Sequence, residues 1–152
     1  MLHVDLAKAY DSIDRAKLWT TLLHELQLPP DLVAKLQHLY HDIAVQLTGS
    51  QDLPPIAVRQ GLKQGCPASP LLFSLLFDRV AAYVQAAVGA LPTATGDFYT
   101  FHTLQLLLLL FADDVALLAR SEAGLGRLYR AFKGFCSQNH LTISSAKTKA
   151  MV

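Results

Sequence analysis

The stretch Leu106-Leu107-Leu108-Leu109-Leu110-Phe111-Ala112-Asp113-Asp114-Val115-Ala116-Leu117-Leu118 places two apolar runs around one pair of adjacent carboxylates. The seven apolar residues from Leu106 to Ala112 read as a buried strand or a buried helix piece. They fall far short of the roughly 20 residues that a bilayer span needs. A second apolar run starts directly after the aspartates, so Asp113-Asp114 are expected at the turn of a hairpin between two core strands. Anions set among buried apolar residues are costly unless something binds them. A divalent cation held by carboxylate oxygens is the natural partner. The plain alternative is that aspartate is simply a favoured turn residue.

Working outward, 152 residues at 52% hydrophobic content suffice for one ordinary core. The net charge is only +1, yet it is unevenly spread. Up to Ala119 the chain carries seven Lys/Arg against eleven Asp/Glu, and from Arg120 onward six against Glu122 alone. An acidic site beside a basic tail suits metal plus phosphate. Cys66 and Cys136 have neither disulfide-framework nor zinc spacing, and His38 and His41 lack a second ligand pair. No leader or transmembrane segment is read from the sequence, so the expectation is an intracellular protein of cytoplasm or nucleus, without a membrane partner.

Upstream of the aspartates, Leu2 to Leu6 alternate as a half-buried strand that delivers Asp5 to its end. Ser12 or Asp14 can cap a helix carrying Leu18, Trp19, Leu22, Leu23 and Leu26, and Pro29-Pro30 ends it. Asp31 can cap a second helix, with Leu32, Leu36, Leu39, Tyr40 and Ile43 on one face. Short strands are expected at Val45 to Leu47 and Ile56 to Val58. Ser69-Pro70 is a good helix start after the loop from Arg59, and the helix it begins is apolar through Val84. A loop with a strand near Phe98 to Phe101 leads back to the Leu106 run. Downstream, Glu122 to Ser137 reads as a helix with Leu125, Leu128, Tyr129, Phe132 and Phe135 inside, and Leu141 to Ile143 as a last strand. Strands interleaved with helices indicate an α+β fold with helices on one face of a mainly antiparallel sheet.

Four segments carry a family resemblance. Val4-Asp5-Leu6-Ala7-Lys8-Ala9-Tyr10-Asp11 resembles motif A of reverse transcriptases (RNA-directed DNA polymerases), in particular the branch of non-LTR retrotransposons and group II introns. Gln64-Gly65-Cys66-Pro67-Ala68-Ser69-Pro70-Leu71-Leu72-Phe73 is similar to motif B, Phe111-Ala112-Asp113-Asp114 to motif C, and Leu141 to Thr148 to motif D. The four stand in the family's order across almost the whole chain. Ser144 departs from the asparagine that motif D often carries.

The resemblance implies a polymerase palm over residues 1–152, with a ferredoxin-like sheet. It implies two Mg²⁺ ions, replaceable by Mn²⁺, with Asp5 and Asp113 as principal ligands, the Leu6 carbonyl assisting and Asp114 in support. Tyr10 would exclude a 2′-hydroxyl, Gln64 and Gly65 would line the nucleotide pocket, and Lys147 would reach the triphosphate, with Lys149 as a second candidate. Partners would be an RNA template, a DNA primer and deoxynucleoside triphosphates; the oligomeric state is open. Because only four residues precede Asp5, most of the fingers and all of the thumb are expected to lie outside this stretch. The alternatives are a catalytically inert palm remnant, or another palm polymerase such as an RNA-dependent RNA polymerase.

Overall fold

Leu2-His3-Val4 form β1 (Leu2–Val4), and the chain runs on through Asp5 into β2 (Leu6–Ala7). The computed structural model describes residues 1–46, 49, 54–89, 96–102 and 104–151. Asp14 caps α1 (Arg15–Thr20), its carboxylate accepting the Lys17 N–H at 3.2 Å. The helical spacing continues to Leu26, but Thr21–Glu25 is a π-helical turn and not more α-helix. There the buried Thr21 hydroxyl bonds the Glu25 carboxylate and the Arg79 guanidinium, and Arg79 pairs with Glu25.

α2 (Pro30–Leu39) starts on proline, and Asp31 sits inside its first turn, so the expected Asp31 cap is corrected. Its apolar face is also narrower than expected: Val33 and Tyr40 are buried, whereas Leu32 and Leu39 are exposed. β3 (Ala44–Val45) pairs antiparallel with β4 (Ile56–Ala57); Leu47, expected in the first of these strands, lies outside the described residues.

The single helix expected after Ser69 is two, α3 (Ser69–Phe77) and α4 (Arg79–Gly89), broken at Asp78. Ser69 does not cap α3. Its hydroxyl donates to the Lys63 carbonyl at 2.7 Å and bonds the Tyr40 hydroxyl at 2.8 Å. In series these helices are long and apolar enough to cross a membrane by length and composition, where none was expected. Their Leu72, Phe73, Phe77, Val80 and Val84 are nevertheless buried in the core.

β5 (Tyr99–Phe101) appears where a strand was expected and pairs with β6 (Leu104–Leu106). β7 (Leu108–Phe111) and β8 (Asp114–Leu117) form the expected hairpin, with Ala112-Asp113 as its two-residue loop. Ala112 takes φ +52°, and positive φ at the first loop position is what a tight hairpin requires. Ser121 caps α5 (Glu122–Gln138) through the Gly124 N–H at 3.0 Å. β9 (Thr142–Ile143) pairs with β2, and β10 (Lys149–Ala150) pairs with β1. The result is mixed helix and antiparallel sheet, as an α+β fold requires.

The main sheet has the order β10-β1-β8-β7, antiparallel throughout. Successive residues of a strand point to opposite faces, and paired residues share a face. One face therefore carries Val4, Val115 and Leu117, all fully buried in one core with Val80 and Val84 of α4 and Leu128 and Phe132 of α5. Phe77 meets Phe132 edge-on at 6.4 Å and Phe135 at 6.1 Å. The other face carries His3, Ala116, Leu109, Asp114 and Phe111. It is open: Leu109 is 53% exposed and Phe111 83%.

That corrects the reading of Leu106 to Ala112 as a buried strand. β7 is an edge strand of a sheet covered on one side only, so the leucine run alternates between core and solvent. Phe132→Ala should cost about 3–5 kcal/mol of stability, the usual loss for a buried phenylalanine. Phe111→Ala should stay within about 0.5 kcal/mol. Urea unfolding of both variants checks the assignment of the two faces.

Candidate active site

The strand pairing brings the sequence-predicted acids to one end of the open face. Asp5 follows Val4 on β1 and Asp114 precedes Val115 on β8, and Val4 and Val115 are paired. The two carboxylate-bearing residues thus lie one step beyond the same rung. Asp113 sits beside them in the hairpin loop. At Asp5 the chain leaves the main sheet, and its carbonyl accepts the Ser144 N–H at 2.8 Å. By the alternation of antiparallel ladders, Leu6 is then the non-bonded pair with Ile143, and its carbonyl stays outside the β2–β9 ladder.

Each carboxylate has a different neighbour. Asp5 Oδ2 is buried without a hydrogen-bond donor, and Lys147 Nζ stands 3.5 Å from it, close enough for an ion pair without making a hydrogen bond. Asp114 Oδ1 lies 3.5 Å from His3 Nε2. Asp113 has neither ion pair nor hydrogen bond among the described residues. Lys147, expected at the triphosphate, is presented to Asp5 by a turn closed by the Ser144 carbonyl, which accepts from Thr148 N–H at 3.0 Å. Lys149, exposed on β10, is paired with His3.

Among the described residues, no three His, Cys, Asp or Glu side chains gather as a self-sufficient metal cage. Asp5, Asp113 and Asp114 are brought together along the β1–β8 and β7–β8 pairings without closing into a cluster. A hard cation such as Mg²⁺ does not need a cage. It usually takes one or two carboxylates and fills its sphere with waters and substrate phosphates. The unpartnered buried Asp5 Oδ2, the free Asp113 carboxylate and the Leu6 carbonyl fit that demand.

Tyr10 is half-buried, its ring stacked on Phe73 at 4.7 Å and 16°. Burial, and secondarily the charge of Asp113, push its hydroxyl pKa up. Gln64 is exposed, and its Nε2 donates to Asp11 Oδ1 at 3.2 Å. Gly65 takes φ +79° with open space where a Cβ would stand. Its conformation demands glycine; packing does not.

The bond of Asp11 to Gln64 has no signal in the sequence reading, which also passes over His3, Arg15 and Gly61. Gly61 has φ +82°, and a Cβ there would stand 2.7 Å from the Asp11 carbonyl oxygen. A glycine three residues before Gln64 was the available signal. The long-range contacts of Arg15 left none.

The family model for reverse transcriptase (RNA-dependent DNA polymerase) matches residues 1–152. The chain belongs to that family. It is 30% identical over 149 residues to the retrovirus-related Pol polyprotein of the type-2 retrotransposable element R2DM of Drosophila melanogaster, covering 95% of this chain and 13% of that protein. It is 25% identical over 152 residues to the transposon TX1 uncharacterized 149 kDa protein of Xenopus laevis, covering 99% of this chain and 11% of the other. The Pol polyprotein of the type-1 element R2 of Nasonia vitripennis is 29% identical over 126 residues, 80% of this chain and 11% of its own length. These are non-LTR retrotransposons, and this reverse transcriptase domain spans about an eighth of each relative's length.

The two thiols near and far from the site differ. The Ala68 backbone N–H draws the Cys66 pKa down, while burial pushes Cys136 up to about 12. Titration of the native chain with a thiol reagent at pH 8 should modify one cysteine quickly. Cys66→Ser should remove that reactivity, with Cys136 reacting only on unfolding.

Proposed function

We propose that this chain is the palm of a non-LTR-type reverse transcriptase and adds deoxynucleotides to a DNA primer on an RNA template. The observation that carries the reading is the placement of Asp5 and Asp113 at one end of the open sheet face, inside a chain matched throughout by the reverse transcriptase family model. Topology supports the palm. In chain order, β1, β7, β8 and β10 are four strands, with helices between the first and second and between the third and fourth. Their spatial order is fourth, first, third, second. That is the β-α-β-β-α-β arrangement of ferredoxin-like sheets.

In the reaction the primer 3′-hydroxyl loses its proton to water and its oxygen attacks the α-phosphorus, and the bond to the bridging oxygen breaks to release pyrophosphate. Asp5 and Asp113, with the Leu6 carbonyl, would hold two Mg²⁺ ions, and Asp114, tied to His3, would support the hairpin carboxylates. Ions so bound activate an attacking hydroxyl and stabilise a leaving oxygen. The rigid Tyr10 ring, braced on Phe73, closes the space that a 2′-hydroxyl would need. Gln64 hydrogen-bonds the nucleotide, and Gly65 leaves room for its close approach. Lys147 is 72% exposed on a flexible stem, so it can leave Asp5, bind the triphosphate and hand a proton to the departing pyrophosphate.

Primer extension on a homopolymer RNA template with Mg²⁺ or Mn²⁺ tests the proposal. Extension should fall to background in Asp113→Asn. Tyr10→Ala should admit ribonucleotides by a factor of about 10–200, the range one steric contact supplies. No extension under either cation points to an inert remnant. Equal use of ribonucleotides by the unaltered chain points to an RNA polymerase.

A further inference from the structure

The loop Val58 to Gly65 holds Gln64 and Gly65, yet it belongs to no sheet beyond Ala57 and to no helix. Its carbonyls are met from an unexpected direction. Arg15, the first residue of α1, donates from Nε to the Gly61 carbonyl at 2.7 Å, from Nη1 to Val58 at 3.0 Å and from Nη2 to Gln60 at 3.2 Å. Nη1 also reaches the Tyr40 carbonyl at 3.4 Å, and the guanidinium lies 5.4 Å from the Tyr40 ring centre. Tyr40 carries the hold to the far end of the loop, because its hydroxyl bonds Ser69, whose own hydroxyl donates to Lys63.

The loop is drawn onto the motif A segment from the other side. Gly61 N–H donates to the Ile13 carbonyl and Leu62 N–H to the Tyr10 carbonyl, each at 2.8 Å. Gly61 comes so near Asp11 that no Cβ fits. The separation of Gln64 from Tyr10 and Asp5 is therefore set by how the loop is clamped, and the only charged side chain among the described residues that donates to the carbonyls of residues 58 to 61 is Arg15.

We propose that Arg15 is a positioning residue that fixes the nucleotide loop against Tyr10 and Asp5; the inference rests on the assignment of Gln64 and Gly65 to the incoming nucleotide. A planar fork of five N–H donors can satisfy several carbonyls at once, whereas a lysine ammonium is a compact point charge on a flexible stem. Arg15→Lys keeps the charge and loses the clamp.

Hydrogen exchange on the full chain decides the first half of the proposal. Arg15→Lys should speed exchange at Gly61 and Leu62 by roughly tenfold or more, the consequence of losing hydrogen bonds from a charged donor. The amides of Leu128 to Phe135 in α5 should keep their wild-type protection, which a general loss of folding would not allow. Arg59→Lys, an exposed cation of the same loop, should change neither region. Steady-state primer extension decides the second half: Arg15→Lys should raise KM for the deoxynucleotide about tenfold and leave KM for primer–template unchanged. Wild-type protection at Gly61 and Leu62 in Arg15→Lys overturns the proposal, as does a loosened loop with an unchanged nucleotide KM. A wild-type chain that extends no primer defeats the functional reading instead, and the exchange result then decides the clamp by itself. Arg15→Gln repeats the test should the lysine variant fail to fold.

Discussion

The pairing of Val4 with Val115 is the constraint on which the rest depends. Both side chains are fully buried, so this rung is locked by the core under α4 and α5. A slip of one residue would turn every side chain of β1 to the wrong face, bringing His3 into the core and Val4 into solvent. With the register fixed, the position beyond this rung is an aspartate on both sides, Asp5 after β1 and Asp114 at the start of β8. The packing of valines thus determines where the carboxylates stand.

That arrangement concentrates negative charge at the sheet end, and the chain's own cations answer it unevenly. Lys147 sits at Asp5 and His3 at Asp114, both at 3.5 Å and both on partly exposed groups, so each pair contributes little to stability. Neither supplies Asp5 Oδ2 with a hydrogen bond. A site filled by strong internal partners would have no need of a cation. This one is left under-satisfied, at the edge of a face that no helix covers among the described residues.

Much of this was legible in the sequence where the signal is local. The Asp14 helix start, the hairpin at Asp113 and the inner residues Leu128, Phe132 and Phe135 of α5 follow from capping and periodicity. The leucine run was misread because composition reports apolarity and not which face a partner covers. Leu109 and Phe111 are exposed simply because β7 is an edge strand of a one-sided sheet. Ser69 looked like a cap, yet its hydroxyl is drawn to Tyr40 and Lys63, contacts that no local pattern encodes. The same holds for Arg15, whose acceptors lie 25 to 46 residues away. Among the acids, motif order predicted Asp5 and Asp113 together, while the turn of Asp114 toward His3 depends on the strand register.

The cation site proposed above joins Asp5, after β1, to Asp113 in the β7–β8 loop. Mn²⁺ binding followed by electron paramagnetic resonance tests it without requiring catalysis. Saturable binding by the wild-type chain is expected, weakened at least about tenfold by either Asp5→Asn or Asp113→Asn, since even residues that only orient metal ligands are worth 10–100-fold in affinity. Binding that is unchanged in both variants would contradict it.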